Sequence, residues 1–398
     1  MRVLFVNRYF HPDHSATSQI ASDLTMHLAS RGWEVHAITS RQRYDDARAR
    51  LAPHEVANGV TIHRAWSTRF GRAGLIGRAI DYATFYVSAF FAVLRYAGSS
   101  GSSVPRSSSA NGPTAPRNPR NPEDPRGTVV VAMTDPPLLS IVCALAAMLR
   151  GARLVNWLQD LFPEVAESLG MRGLGVLRGP RNWSLRRARV NVVLGERMRE
   201  RVGNDARVIH NWADAGLHPL PFAARFSVGY SGNLGRAHDA ETIVEAMRLA
   251  PEIPFVFTGG GAQLERVRRS AGANVEFRPY APREQLSESL SSADVHLVSL
   301  QPAMEGLIVP SKFYGILAVA RPVVFIGARD GEVARLVEEA RCGYVIEPGD
   351  AAGLARVLRE LASDRAKVRE MGERGRTMYE QRFAPRHAFA RWEEVLTC

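Results

Sequence analysis

A glycine-rich segment with cationic side chains lies just past the middle of the chain. Residues 229–239 read GYSGNLGRAHD and stand between an apolar run and a helical pattern. Glycines let a backbone approach a phosphate, and Arg236 and His238 can supply positive charge to a diphosphate. The spacing is not G-x-G-x-x-G, and the segment opens the second half of the chain, which argues against a dinucleotide oxidoreductase. A tight strand-to-helix turn would explain the glycines, but not the cluster of Asn233, Arg236 and His238.

A second segment, residues 301–315, follows another apolar run. Ser311 is predicted to be the N-cap of a helix that extends to about Ala320, and the first amides of that helix would favour an anion. Lys312 falls in the first turn, where a cation opposes the helix dipole, so an anionic ligand explains it better than helix stability does. Glu305 can accept hydrogen bonds from sugar hydroxyls; the alternative is an exposed glutamate on a mobile loop.

Polar residues of the N-terminal half follow two further apolar runs, at 11–18 and 157–164. Both segments would lie at the carboxyl ends of parallel strands, the edge at which α/β sheets bind ligands. Asp160 can orient a hydroxyl group or act as a base, whereas Glu164 fits the N-terminus of a helix equally well. The candidates for contact with a second substrate are His11, Ser18, Gln159, Glu164 and Glu196.

The elements that must position these residues alternate along the chain. Helices are predicted at 16–30, 73–96, 240–249 and 385–396, and strands at 2–7, 34–39, 60–65, 128–133, 153–157, 190–194, 226–231, 254–258, 275–279, 294–299, 322–326 and 343–346. Such alternation indicates α/β domains with parallel sheets covered by helices on both faces. We expect one domain over 1–207 and a second over 208–384, with the terminal helix 385–398 packing back on the first.

Composition limits the class of protein. The 398 residues suffice for two domains. The formal charge is +11, and only Lys312 and Lys367 among the 51 basic residues are lysines. This arginine bias points to genome composition and weakens an interpretation as a nucleic-acid-binding protein. Three widely spaced cysteines make neither a disulfide framework nor a zinc site, which indicates a reducing compartment.

Three segments bear on location. Residues 98–127 have almost no apolar side chains and are predicted to be a disordered insertion, with a basic tether as the alternative. The N-terminus enters a strand-like run directly, so no signal peptide is expected. Residues 83–94 are apolar but too short to span a bilayer. Because they follow the basic stretch 69–78, they suit either an anionic membrane surface or a core helix. We therefore expect a cytoplasmic protein that is soluble or peripheral on the inner membrane.

As an ensemble these motifs resemble those of a family-4 glycosyltransferase of the GT-B type. The matching segments are YSGNLGR at 230–236, FTGGG at 257–261, NVEF at 274–277 leading to Tyr280, SAD at 292–294, VPSK at 309–312 and RPVV at 321–324. QDLFPE at 159–164 and VLGERM at 193–198 are similar to segments of bacterial L-N-acetylfucosamine transferases that build cell-surface polysaccharides.

The resemblance implies two Rossmann-like domains facing each other across a cleft. A nucleotide-sugar donor, UDP-linked by preference, would bind the C-terminal domain, and a polyprenyl-diphosphate-linked saccharide would bind the N-terminal one. Transfer would retain the anomeric configuration without a metal ion. A nucleotide-sugar 2-epimerase-like enzyme of the same fold is the alternative, and a basic nucleic-acid-binding protein is a distant one.

The resemblance also assigns site residues. Asn233 and His238 occupy the positions of the usual Arg and Lys, so Arg236 and Lys312 would neutralise the diphosphate. Glu305 stands for the first of two family glutamates, whereas Gly315 occupies the place of the second, which clasps the ribose. Asp160 lies about where relatives often have a histidine near the reacting sugar. The remaining implied donor contacts are Gly232, Gly235, Gly259, Gly261, Arg278, Tyr280, Gly306 and Ser311.

Overall fold

The computed structural model describes residues 1–71, 74–98 and 127–398. Most of the insertion predicted at 98–127 lies outside the described residues. The chain divides into two compact units: unit 1 comprises Met1–Gln159, Val176–Val192 and Val395–Cys398, and unit 2 comprises Asp160–Gly175 and Val193–Glu394. The division predicted at residue 207 stays a prediction.

Up to residue 208, the described part of the chain has fourteen α-helices and β-strands. They are β1 (Arg2–Val6), α1 (Ala16–Ser30), β2 (Glu34–Ser40), β3 (His54–Ala57), β4 (Val60–Ala65), α2 (Leu75–Ala97), β5 (Thr128–Ala132), α3 (Leu139–Arg150), β6 (Arg153–Trp157), α4 (Glu164–Ser168), α5 (Arg178–Arg187), β7 (Val190–Val193), α6 (Glu196–Val202) and β8 (Arg207–Val208).

The sheet of unit 1 runs β3-β4-β2-β1-β5-β6-β7. Strand β1 lies between β2 and β5 and is parallel to both, with Val6 beside Ile38 and Ala132. Residues Val3 to Val6 are fully buried, because helices cover both faces of such a sheet. Helices α2 and α3 pack together on one face, where Phe85 and Val93 join the core.

The second half continues the alternation. Its elements are β9 (Val228–Asn233), α7 (Glu241–Leu249), β10 (Phe255–Gly260), α8 (Leu264–Ser270), β11 (Val275–Arg278), α9 (Leu286–Ser291), β12 (Val295–Ser299), α10 (Lys312–Ala318), β13 (Val323–Ile326), α11 (Glu332–Ala340), β14 (Gly343–Ile346), α12 (Ala351–Ser363), α13 (Arg365–Met378), a π-helical turn (Tyr379–Phe383) and α14 (Pro385–Thr397). The sheet of unit 2 is parallel throughout, in the order β11-β10-β9-β12-β13-β14.

Most predicted elements are present within two residues of their expected ends, and α1, β4, β6 and β14 match them fully. The hairpin formed by β3 and β4 is antiparallel and was not predicted. Its turn is Asn58-Gly59, and both residues have positive φ angles of 48° and 80°. Asn-Gly is the typical sequence of such a turn, so the signal was present.

The helix predicted from Ser311 to about Ala320 ends two residues earlier than expected, and Ser311 stands at its N-cap position as predicted. Helix α10 ends at Ala318, and the Ser311 side chain makes no capping hydrogen bond. Ala320 adopts a left-handed φ of 54°, which ends the helix. Arg321 explains that conformation, because its buried guanidinium donates to the carbonyls of Val319 and Ala293.

Candidate functional site

The carboxyl edge of the unit 2 sheet has a topological switch between β9 and β12. The chain leaves β9 toward β10 and β11 on one side, and it continues from β12 to β13 and β14 on the other. Open α/β sheets bind ligands at such a point, because the loops diverge there and leave space. The glycine-rich segment 229–239 begins within β9 and continues past its end, and the segment with Lys312 follows β12, so both predicted donor segments reach this edge.

Lys312 reaches the end of β9. Its Nζ donates to Tyr230 Oη at 2.5 Å and to the carbonyl of Asn233 at 3.3 Å. The ammonium also lies 3.9 Å from the centre of the Tyr230 ring. Burial lowers the pKa of Lys312 to about 7. Among the described residues no carboxylate pairs with this cation, so its charge is available to an anion.

His238 lies beside this cation. Its Nδ1 bonds to the carbonyl of Ser299 at 2.5 Å, which fixes the ring to the end of β12. Burial and then the charge of Lys312 lower the pKa of His238 to about 3. The imidazole is therefore neutral with its proton on Nδ1, and it can accept a hydrogen bond but cannot neutralise a phosphate.

Three glycines let the loop backbones meet at this edge. Gly232, Gly259 and Gly261 have φ angles of 103°, 126° and 127°. A Cβ on Gly259 would lie 2.5 Å from the carbonyl oxygen of Gly232, and one on Gly261 would lie 2.4 Å from that of Leu234. The Tyr280 ring rests against Gly259 and Gly260 and is 54% exposed, so it offers a surface for a planar group.

Glu305 contacts the N-terminus of α11. Its Oε2 accepts the amide of Glu332 at 3.2 Å, at the N-terminus of α11, and its side chain packs against Gly331. Burial, and then the charges of Glu332 and Asp330, raise the pKa of Glu305 to about 7. Its Oε1 is buried without a hydrogen bond, so one oxygen stays available to a ligand.

The other predicted donor residues have varied surroundings. Arg236 is exposed and has no ion pair among the described residues, so it is available to an anion. Arg278 is engaged by Glu276, at 2.7 and 2.9 Å. Gly235 accepts the amide of His238, and a Cβ on Gly306 would lie 2.8 Å from the carbonyl oxygen of Arg197.

The carboxyl edge of the unit 1 sheet holds a buried ion pair that was not predicted. Arg8 follows β1 and donates to Asp81 of α2 at 3.3 Å and to Gln42 at 2.8 Å. Asp81 is fully buried and also accepts the Thr68 hydroxyl at 2.7 Å and the amides of Phe70 and Gly71. This network holds the loop before α2.

The predicted acceptor residues are divided between the units. His11, Ser18 and Gln159 belong to unit 1, whereas Asp160, Glu164 and Glu196 belong to unit 2. The carbonyl of His11 accepts from Arg64, and the Ser18 hydroxyl donates to the carbonyl of Asp13. Asp160 is exposed, and Glu196 pairs with Arg199 at 2.6 Å.

Helix α2 has an exposed apolar face. Ile76, Ile80, Val87 and Phe91 are each between 40% and 79% exposed and recur at helical spacing along one side. The opposite side is buried, so residues 83–94 are part of a core helix and also expose apolar surface. No helix in the described part of the chain is long and apolar enough to cross a membrane. In the same residues no group of three or more His, Cys, Asp or Glu side chains is placed to hold a metal ion.

Parts of this chain are similar in sequence to known proteins. Residues 222–378 match the family "Glycosyl transferases group 1". The chain is 29% identical to the probable glycosyltransferase WbjE of Pseudomonas aeruginosa over 266 residues, which is 59% of this chain and 66% of that protein. It is 29% identical to the putative colanic acid biosynthesis glycosyl transferase WcaI of Escherichia coli over 155 residues, 36% and 38% of the two chains. The chain thus aligns with less than two thirds of these relatives.

Solved structures show the fold. Sucrose-phosphate synthase from Thermosynechococcus elongatus superposes with a TM-score of 0.73 at 16% identity, covering 99% of this chain and 98% of that one. Anabaena HepE, solved with UDP-glucose, gives a TM-score of 0.69 at 15% identity and covers 100% and 99%. The predicted GT-B fold class is confirmed, and residues 222–378 match the glycosyl transferase family model.

Proposed function

We propose that this chain, whose residues 222–378 belong to the group 1 glycosyltransferases, moves a sugar from a UDP-linked donor to a polyprenyl-diphosphate-linked saccharide. The sugar would be N-acetylated or deoxy, as in the cell-surface enzymes that the motifs resemble, and its anomeric configuration would be retained. The observation that carries the donor half is Lys312, a cation without a carboxylate partner among the described residues, held at the switch point of the unit 2 sheet. WbjE and WcaI are named as glycosyltransferases, and HepE was solved with UDP-glucose, which supports sugar transfer from a UDP-linked donor.

The donor diphosphate binds where Lys312 and the glycine backbone meet. Tyr230 and the Asn233 carbonyl orient the ammonium before the ligand arrives, so little reorganisation is needed when charge develops on the leaving phosphate. Arg236 is exposed beside this edge and adds a second positive charge. The glycines at 232, 259 and 261 let phosphate oxygens approach the backbone closely.

The base and the sugar are bound by neighbouring loops. Tyr280 stacks on the uracil from its position over Gly259 and Gly260. Oε1 of Glu305 is buried without a hydrogen-bond partner, and this oxygen accepts a hydrogen bond from a hydroxyl group of the transferred sugar. The second family glutamate is replaced by Gly315, so the ribose is held by another group.

Asp160 orients the acceptor hydroxyl or takes its proton, and His11, Ser18, Gln159, Glu164 and Glu196 are the proposed acceptor contacts. The exposed face of α2, with Arg69 and Arg78 close in sequence, suits an anionic inner membrane surface that carries the lipid-linked acceptor.

The test uses the two lysines of the chain. Lys312→Ala should weaken UDP binding about 100-fold, since loss of a charge-assisted phosphate contact costs about 2.7 kcal/mol. Lys367→Ala is the matched control, because Lys367 is an exposed partner of Glu360. Binding is measured by calorimetry with UDP and GDP. Equal binding by both variants, or no binding of either nucleotide by the unaltered protein, would refute the donor site.

Asp160→Asn separates the two halves of the proposal. It should lower transfer to a polyprenyl-diphosphate saccharide at least tenfold while leaving the UDP dissociation constant unchanged. Equal loss of transfer and of UDP binding would remove Asp160 from the acceptor role.

A further inference from the structure

A groove of about 400 Å³ lies in unit 2 beside α14, and none of its lining residues is among those proposed for the donor. It is lined by Gln381, Arg382, Arg386, His387, Ala390 and Arg391. Gln381 and Arg382 come from the π-helical turn Tyr379–Phe383, and the other four come from α14. Single π-helical turns are frequent at functional sites, because the extra residue redirects side chains out of the regular helix.

The charges around this groove are unbalanced. Arg382 pairs with Glu339 at 2.6 Å. Within the described ranges, Arg386 donates to the carbonyl of Glu380, and Arg391 donates to the carbonyl of Val208 at 3.4 Å. Two of the three guanidinium groups therefore have no carboxylate partner among the described residues. Guanidinium groups that have no carboxylate partner bind phosphate oxygens well, since their planar set of N–H donors matches the geometry of the phosphate.

A smaller pocket shares Arg382, His387 and Arg391 with this groove, and His210 is part of its lining. The His210 ring contacts the Phe383 ring edge-on at a centroid distance of 5.2 Å. His210 Nδ1 bonds to the carbonyl of Leu194 at 2.8 Å. Burial first, and then the charges of Arg382 and Arg391, lower the pKa of His210 to about 4. The imidazole is thus neutral and adds no repulsion of its own to the three arginines.

We propose that this groove binds the phosphoryl group of a small phosphorylated ligand, at a site separate from the donor site. Arg386 and Arg391 contact the phosphate oxygens, Arg382 adds charge from the π-helical turn, and His387 and Gln381 lie within the same wall. The neighbouring Phe383 packs against Tyr314 of α10, at a centroid distance of 5.0 Å, so the wall of the groove adjoins the helix that carries Lys312.

The experiment uses pyrophosphate as the probe and the full chain with Lys312→Ala, which removes the proposed donor contact. Calorimetry should show saturable binding, and adding Arg386→Gln with Arg391→Gln should weaken it at least tenfold. The matched control adds Arg248→Gln with Arg268→Gln, which removes two exposed arginines elsewhere in unit 2 and should leave binding within twofold. Absence of saturable binding, or equal loss in the two double variants, overturns the site.

A second measurement distinguishes a soluble ligand from a lipid headgroup. Vesicles of phosphatidylglycerol with phosphatidylcholine are sedimented with the protein and with the Arg386→Gln, Arg391→Gln variant. For a soluble ligand, pyrophosphate binding depends on these arginines and sedimentation does not; for a headgroup, both depend on them. If neither pyrophosphate binding nor sedimentation depends on these arginines, the proposal is contradicted. Thermal melting checks that the variants remain folded; the altered arginines are exposed, and Lys312→Ala is common to all the proteins compared by calorimetry. Failure of UDP to bind would leave this result unaffected, because the donor site is not used.

Discussion

The two sheets each place a cation at their carboxyl edge, and the two cations have opposite surroundings. Arg8 of unit 1 is buried and reaches Asp81 and Gln42, and Asp81 in turn holds the backbone of the following loop. Lys312 of unit 2 is partly buried, and its hydrogen bonds in the described part of the chain go to a phenol and a carbonyl oxygen. A cation whose charge is balanced within the fold stabilises the loop around it. A cation whose charge is not balanced is costly to bury and is retained where a ligand supplies the anion.

The largest effect is expected at the carboxyl edge of the unit 1 sheet, where Asp81 balances the charge of Arg8. Asp81→Ala should lower the free energy of unfolding by 3–5 kcal/mol, because it leaves Arg8 buried without its carboxylate. Urea denaturation measures the change. Asp45→Ala is the control, since that carboxylate is exposed beside His14 and should change stability by less than about 1 kcal/mol. Similar values for both variants would show that the Arg8 pair contributes nothing to stability.

At the carboxyl edge of the unit 2 sheet, the pH dependence of UDP affinity tests the role of Lys312. The pKa of Lys312 is lowered to about 7, so its charge is present below pH 7 and is lost above it. UDP is fully ionised in that range, so its affinity should fall by up to about tenfold per unit between pH 7 and 9. Lys312→Met should abolish this slope. A slope that persists in the variant would assign the titration to another group.

The same lysine affects stability with the opposite sign. The unfolded chain, with the ordinary pKa of 10.5, binds more protons than the folded one between pH 7 and 10.5. Without ligand, Lys312 therefore makes the free energy of unfolding rise with pH over that range. Thermal melts of the unaltered protein and of Lys312→Met should diverge most at pH 7 and converge above pH 10.

A smaller effect is expected at Glu305. Its pKa is raised from 4.5 to about 7, so the folded state binds the extra proton and stability falls as pH rises from 4.5 to 7. Glu305→Gln should remove about 1 to 2 kcal/mol of that fall. Thermal melting at pH 5 and pH 8 gives the comparison. A variant with an unchanged pH profile would mean that this carboxyl is already ionised at low pH.

The smallest effect is expected at Arg236. The side chain is exposed, so Arg236→Ala should weaken UDP binding only about threefold to tenfold and should leave stability within about 0.5 kcal/mol. The effect should shrink in high salt, because exposed charges are screened. A loss as large as that of Lys312→Ala would make Arg236 the principal phosphate contact.

Local pattern predicted most of the fold. The buried run of β1 and the amphipathic helix α1 depend on neighbours within a few residues, so their types and ends could be predicted. The short exposed strand β3 has no apolar alternation, and only the Asn58-Gly59 turn signals it. The end of α10 depends on Arg321, whose partner carbonyl at Ala293 is 28 residues away, so no local pattern reveals it.

The candidate site divides in the same way. The prediction of Lys312, His238 and the glycines as site residues rests on residue type and position alone, because a cation or a glycine after a strand favours a phosphate ligand. The neutral state of His238 depends on burial and on Lys312, which is 74 positions away in the chain. Asp81 forms its ion pair with Arg8, which is 73 positions away. Sequence alone therefore sets the element types, the alternation and the chemical groups available at each strand end. Only the folded chain determines which charges are balanced, since Coulomb energy and desolvation depend on distance and burial rather than on chain order.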